Sequence, residues 1–149
     1  MELEQEISTK FEDSYHKALV NILYTNGWLT SILKQRLAPE DITPQQYNVL
    51  RILRGRRPQP ATINLLRERM LDKMSDASRI VDRLVTKGLA ARGINGDDRR
   101  AVDITITKKG LDVLKSLESA MNSEDIFGGA LTQEEADRLS FILDKLRGI

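Results

Sequence analysis

Residues 75–107 read SDASRIVDRLVTKGLAARGINGDDRRAVDITIT. Over 75–87 the apolar residues are Ala77, Ile80, Val81, Leu84 and Val85. Steps of three and four place them on one stripe of a helix. Ser75, Asp76, Ser78, Arg79, Asp82 and Arg83 fall on the other face. Ser75 stands where an N-cap belongs, its hydroxyl able to accept from a free amide of the first turn. Gly88 suits the left-handed residue that closes a helix. The period then changes from helical to extended. Residues 89–94 can run as a strand. Over 101–107, Val102, Ile104 and Ile106 alternate with Asp103 and Thr105, as a half-buried strand does. Asn95-Gly96 marks the turn, because both residues tolerate positive φ. The tip between the strands is Asn95-Gly96-Asp97-Asp98-Arg99-Arg100.

A helix followed at once by an arginine-tipped hairpin is the arrangement a winged helix-turn-helix presents to DNA. The helix would enter the major groove by its polar N-terminal face. The tip arginines would reach phosphates or a narrow minor groove.

These residues also carry a family resemblance. Ser78-Arg79-Ile80-Val81-Asp82-Arg83-Leu84, then Lys87-Gly88-Leu89, Arg92 and Asp98-Arg99-Arg100, with Thr107-Lys108-Lys109-Gly110 behind them, resemble the MarR family of bacterial transcription regulators. The order and spacing of the pieces, rather than any one of them, carry the likeness. Ile106 departs from it, where the family more often has Leu. The acid is also doubled, Asp97-Asp98. The resemblance covers the whole chain in element order, with motif-level similarity over about residues 43–110. It implies Arg100 or Arg99 as the residue inserted into the minor groove, with Asp98 bracing a guanidinium as a bidentate partner. It also implies a small aromatic or anionic effector held between dimer region and wing domain, for which Trp28, Tyr24, Tyr47 and Arg51 are candidates. Trp28 and Tyr47 read more readily as plain core residues.

The net charge of +1 hides an uneven distribution. Residues 51–109 hold 15 Lys/Arg against 7 Asp/Glu, a net of +8, while residues 1–50 carry −3 and residues 110–149 carry −4. A basic middle between acidic ends is the electrostatic footprint of a nucleic-acid-binding core. The absence of cysteine excludes disulfides and thiolate metal sites. The lone histidine, His16, has no second histidine or cysteine to share a metal with. No apolar run approaches the roughly 20 residues of a membrane helix. The acidic N-terminus lacks the layout of a signal peptide. A soluble cytoplasmic protein is expected, without cofactor or membrane partner.

Taken in order, residues 3–37 read as one long helix on Ile7, Phe11, Ala18, Leu19, Ile22, Leu29, Ile32, Leu33 and Leu37, ended by Pro39. Such a stripe needs a partner, and a second copy of the chain supplies one. Thr43, Pro44 and Gln46 spell a capping box with proline at the first helical position, and Ile42 and Tyr47 stand at staple positions. Thr62 opens a short helix on Ile63, Leu66 and Met70. Asp72-Lys73-Met74 is the turn into the helix of residues 75–87, which completes a helix-turn-helix. Thr107 caps a helix on Leu111, Leu114, Leu117 and Met121. Thr132 to Glu135 form a second capping box, opening a helix on Ala136, Leu139, Ile142, Leu143 and Leu146.

The expected fold is mainly α with a small β-hairpin: a winged helix-turn-helix over 39–110, flanked by a helical dimerisation region of 1–38 and 111–149. The DNA-contact candidates are Ser75, Asp76, Ser78, Arg79 and Arg83 on the recognition helix, Asp98, Arg99 and Arg100 on the wing, and Thr62, Asn64 and Lys73 from the first helix of the motif and its turn. An arginine here can bridge guanine O6 and N7. Asp82 and Arg83, one turn later, can instead pair with neighbours. Adjacent carboxylates such as Glu134-Glu135 diverge by about 100° on a helix and do not converge on a substrate. No phosphate loop and no nucleophile-base spacing is present, so an enzyme is not expected. The expectation is a homodimeric repressor of transcription on double-stranded DNA. The competing reading is a winged-helix protein-interaction module without DNA binding.

Overall fold

The computed structural model describes residues 3–7 and 10–148. The helices are α1 (Leu3–Ile7), α2 (Ser14–Leu37), α3 (Pro44–Arg56), α4 (Ile63–Arg69), α5 (Ala77–Thr86), α6 (Lys108–Leu117), α7 (Ser123–Phe127) and α8 (Gln133–Leu146), with a 3₁₀ turn at Ala38–Glu40. Strands β1 (Ala90–Ile94) and β2 (Val102–Ile106) pair antiparallel, Ala90 opposite Ile106 and Ile94 opposite Val102.

The winged unit has one core. Val49, Leu50 and Leu53 of α3, Leu66 of α4, Ala77, Val81 and Leu84 of α5, Leu89 and Ile104 at the hairpin, and Val113, Leu114 and Leu117 of α6 are all buried together. The capping chemistry falls where the sequence puts it in four helices. Thr43 and Gln46 exchange both bonds of a capping box before α3. Thr62 accepts from the Leu65 amide, Thr107 from the Gly110 amide, and Thr132 with Glu135 forms the second box.

Four expectations are corrected. The helix read over residues 3–37 is two helices: Asp13, extended in backbone, caps α2 by accepting from the His16 amide at 2.8 Å. The carboxylate satisfies a first-turn donor that a helix start leaves without a backbone partner. Residues 8 and 9, part of that expectation, lie outside the described residues. The link from α4 to α5 is longer than the three-residue turn expected, since α4 ends at Arg69 and α5 begins at Ala77. Third, Asn95 and Gly96 do not take positive φ. The Asn95 side chain instead accepts from the amides of Asp97 and Asp98, at 2.9 and 2.8 Å, and so folds the tip from a side chain. Fourth, Val102, expected on the buried face, is 40% exposed, and its cross-strand partner Ile94 is 81% exposed, so the core does not cover this end of the hairpin.

Two close joints set the hairpin against the helices. Gly88, at φ +73°, ends α5 and lets Leu89 turn back into the core. Gly110 is buried in α6, and a Cβ there would lie 2.3 Å from the Leu89 carbonyl oxygen and 2.7 Å from Ile106 Cγ1. A single-residue bridge joins Ala61 to Ile104 through both backbone bonds, at 2.9 and 2.8 Å, tying the start of α4 to the middle of β2. One residue has no periodicity, and nothing in the sequence announces that bridge.

The flanking helices are different. Most of α2 between residues 18 and 28 is exposed, including Leu19, Ile22, Leu23, Tyr24 and Trp28. α8 buries no residue and exposes Leu139, Phe141, Ile142 and Leu146. Arg36 holds α2 to the α6–α7 connection and to α7 by donating to the Ala120 and Asp125 carbonyl oxygens. Gly110→Ala will lower stability by about 3 kcal/mol, because the opposing atom is a backbone carbonyl that cannot turn away. Thermal and denaturant unfolding measure it, and an unchanged midpoint would mean that α6 does not sit against the hairpin in this way.

Candidate nucleic-acid interface

The N-terminus of α5 is built by its own first residues and by the turn before it. Asp76, not Ser75, is the N-cap: its Oδ1 accepts from the Arg79 amide at 3.2 Å. Ser75 lies one residue outside the helix, and its hydroxyl donates to Asp72 Oδ2 at 2.8 Å. A carboxylate is the stronger acceptor for the positive end of a helix, which accounts for the one-residue shift. Asp76, Ser78 and Arg79 are exposed, while Ala77 among them and Val81 one turn on are buried. The helix therefore turns its first polar turn outward. Because Asp76 caps its own helix, it shapes this edge as well as lining it.

Asp72 reads in the sequence only as a turn residue, yet it organises this edge. It accepts from the Ser75 hydroxyl and the Met74 amide, and Gln45 of α3 approaches it at 3.4 Å. The Leu71 amide donates to Asn48 Oδ1 of α3 at 2.9 Å. The bond from Ser75, followed by those from Met74 and Gln45, holds the Asp72 carboxyl below the ordinary aspartate range. The spacing of an Asp three residues before a Ser is a weak signal that could have found it.

The wing is preorganised in a different way from the one expected. Asp98 Oδ1 accepts from the Arg100 backbone amide at 2.9 Å. It braces the turn and not a guanidinium, because the amide two residues on lies within reach of its short side chain. Asn95 Nδ2 donates to Asp103 Oδ1 at 2.8 Å, fastening the tip to β2. Arg99 and Arg100 are exposed. Among the described residues no ion pair engages Arg79, Arg99 or Arg100.

Helix and wing are joined at the surface by an ion pair between Asp82 of α5 and Arg92 of β1. Asp82 thus takes the neighbour-pairing alternative. Arg83 lies with Thr86 and Lys87 along a cavity of about 540 Å³ that Lys34, Asp41 and Gln46 also line, away from the first turn of α5. Lys87 closes this side by donating to the Asp41 carbonyl and carboxylate. Of the first-helix candidates, Thr62 is half-buried and its hydroxyl is the α4 cap. Asn64 is exposed and accepts from Arg67, and the Lys73 ammonium donates to the Glu68 carbonyl.

The four effector candidates separate into two pairs. Tyr24 and Trp28 line a cavity of about 480 Å³ with Leu3, Glu6, Lys17 and Asn21. A hydrogen bond to the Glu6 carboxylate, with its charge, raises the Tyr24 phenol above its ordinary pKa. Trp28 is 47% exposed and so is not the core residue it also resembled. Tyr47 packs on the core of the winged unit, with the Arg51 guanidinium 5.9 Å from its ring centre. Among the described residues no group of three or more His, Asp or Glu is placed to hold a metal.

The low Asp72 pKa carries a sign. A group whose folded pKa is depressed stabilises above its unfolded value, near 3.9, and loses that effect as pH falls through the folded value. The order of the Met74–Ser75 turn will therefore persist at pH 4 and fail only below it, and Asp72→Ala will remove it at every pH. Amide exchange of Met74, whose N–H donates to the Asp72 carboxylate, reads this, and equal exchange in the wild type and the variant at neutral pH would refute it.

Comparison with known proteins agrees with this geometry. The MarR family model matches residues 40–101. A single-site mutant of MarR from E. coli in complex with operator DNA shares 26% identity over 98% of this chain and 99% of its own, at a TM-score of 0.73. The apo form of wild-type MarR from E. coli shares 27% identity over 84% of this chain and 93% of its own, at 0.65. An organohalide-sensing transcriptional regulator in its 2,4-dichlorophenol-bound form shares the fold, with 23% identity over 96% and 83% and a TM-score of 0.79. The helix-turn-helix and the two-stranded wing coincide with the residues that the MarR family model matches, and the chain shares the winged-helix fold of the MarR transcription regulators.

Proposed function

We propose that this chain is a transcription regulator of the MarR family that acts as a homodimeric repressor in the cytoplasm. Each reading head, residues 39–110, presents α5 to one major groove of a pseudo-palindromic operator, with half-sites about one helical turn apart. The observation that carries the reading is the pairing of two free cationic features on one unit. Among the described residues, Arg79 on the outward first turn of α5 and Arg99 and Arg100 on the wing have no ionic partner, while Asp82–Arg92 fixes helix to wing. The surrounding stretch of net +8 supplies the long-range attraction to phosphate.

Within the flanking residues 1–38 and 111–149, α2 and α8 carry the dimerisation surface in this reading, while α6 packs into the core of the winged unit. The exposed apolar side chains of α2 and α8 support it, since they lie uncovered among the described residues of a single chain. The two heads need a rigid base, and a second copy of these helices provides it. A small aromatic or anionic effector held beside this base would favour a different separation of the heads and release the operator. Tyr24 and Trp28 remain the candidate residues for holding it, and the dichlorophenol held by a protein of the same fold is of this chemical class.

Arg79→Ala will lower operator affinity by about 1–3 kcal/mol and relax base preference at one position of each half-site. Arg99→Ala or Arg100→Ala will reduce the salt slope of binding by about one for each phosphate that is no longer neutralised. Fluorescence anisotropy against salt, on DNA selected by the protein from a random duplex pool, measures both. Affinity and slope unchanged in all three variants would contradict the proposal.

A further inference from the structure

Met74 is 94% exposed and Leu71 is 85% exposed, although both are large and apolar. A single exposed methionine is ordinary. These two, however, sit on a turn that is pinned rather than loose. The Leu71 amide is held by Asn48, the Met74 amide and Ser75 hydroxyl by Asp72, and the Ser75 amide donates to the Asp72 carbonyl at 3.3 Å. The turn thus fixes where its side chains project. Met74 is two residues before Asp76, the cap of α5, so its Cα lies within about 7 Å of the edge that would enter the groove.

A thioether side chain offers little to a phosphate. In the major groove the apolar feature of a base edge is the thymine C5-methyl group. Methionine is flexible and polarisable enough to close on such a methyl without fixed geometry. From these observations, and resting on the DNA-binding reading above, we infer that Met74 is a specificity-determining residue that packs on a thymine methyl at one position of each half-site. Ser78 and Arg79 then read the neighbouring base pairs by hydrogen bonds, and Met74 adds an apolar determinant outside the helix itself.

The test is a thymine-to-uracil scan of the selected operator, which removes one methyl at a time and leaves every hydrogen-bonding group in place. The wild-type chain is expected to lose about fourfold in affinity at one thymine of each half-site. Met74→Ala is expected to bind the intact operator with a similar loss and to be indifferent to uracil there, while Met74→Leu restores the sensitivity. Because Met74 is exposed, thermal unfolding of both variants should match the wild type and so keep the comparison clean. Leu71→Ala serves as the neighbouring control and keeps the wild-type response. Undiminished uracil sensitivity in Met74→Ala overturns the inference, as does a weakened variant with no sensitive thymine in the wild type, which would place Met74 on a sugar. Failure of the wild-type chain to bind any duplex overturns the regulator reading itself, and this inference with it.

Discussion

Helix α5 has to bury Ala77, Val81 and Leu84 against α3 and α4, and that burial fixes everything the protein can show to a duplex. Each of the three is almost wholly removed from solvent. Full burial of a Val or Leu side chain stabilises by about 1.5–3 kcal/mol, so rotating the helix about its axis would forfeit several times that. The rotation is therefore set. Ser78 and Arg79 point out because Ala77 and Val81 point in. The same constraint places Asp82 within reach of Arg92 on β1, and an exposed pair of that kind adds orientation more than stability.

The wing is held to this helix by backbone geometry more than by charge. Gly88 allows the chain to reverse directly after α5, and Gly110 allows α6 to lie against the Leu89 carbonyl. The Ala61–Ile104 bridge then ties the helix-turn-helix to the hairpin from the other side. At the tip, Asn95, Asp98 and Asp103 use their short polar side chains to order the loop from within. Among the described residues, neither wing arginine has an ionic partner. The acids of the tip set the shape, and the cations remain available.

Much of this is legible in the sequence because periodicity and capping are local. The stripe of α5, the alternation of β2, the boxes at Thr43 and Thr132 and the glycine at 88 all depend on neighbours within a few residues. What the sequence does not disclose depends on competition or on distance. Ser75 and Asp76 both suit an N-cap, and only the folded turn shows that Asp72 engages the serine and leaves the cap to the aspartate. Asn95-Gly96 matches a tight-turn signature, but the Asn95 side chain offers the backbone a different closure. The break after α1 hangs on a single cap at Asp13 inside a pattern that otherwise reads as continuous helix. Tyr24 and Trp28 group with Tyr47 and Arg51 by chemistry, and the fold places the two pairs against different surroundings.

The central claim is that the first turn of α5 and the tip of the wing act as one surface on DNA. Hydrogen–deuterium exchange of the chain with and without its selected operator tests it most directly. The account predicts slowed exchange over residues 72–80 and 95–101 together, with both segments saturating at the same DNA concentration. Protection confined to one of the two segments, or found instead on the outer faces of α7 and α8, would contradict it.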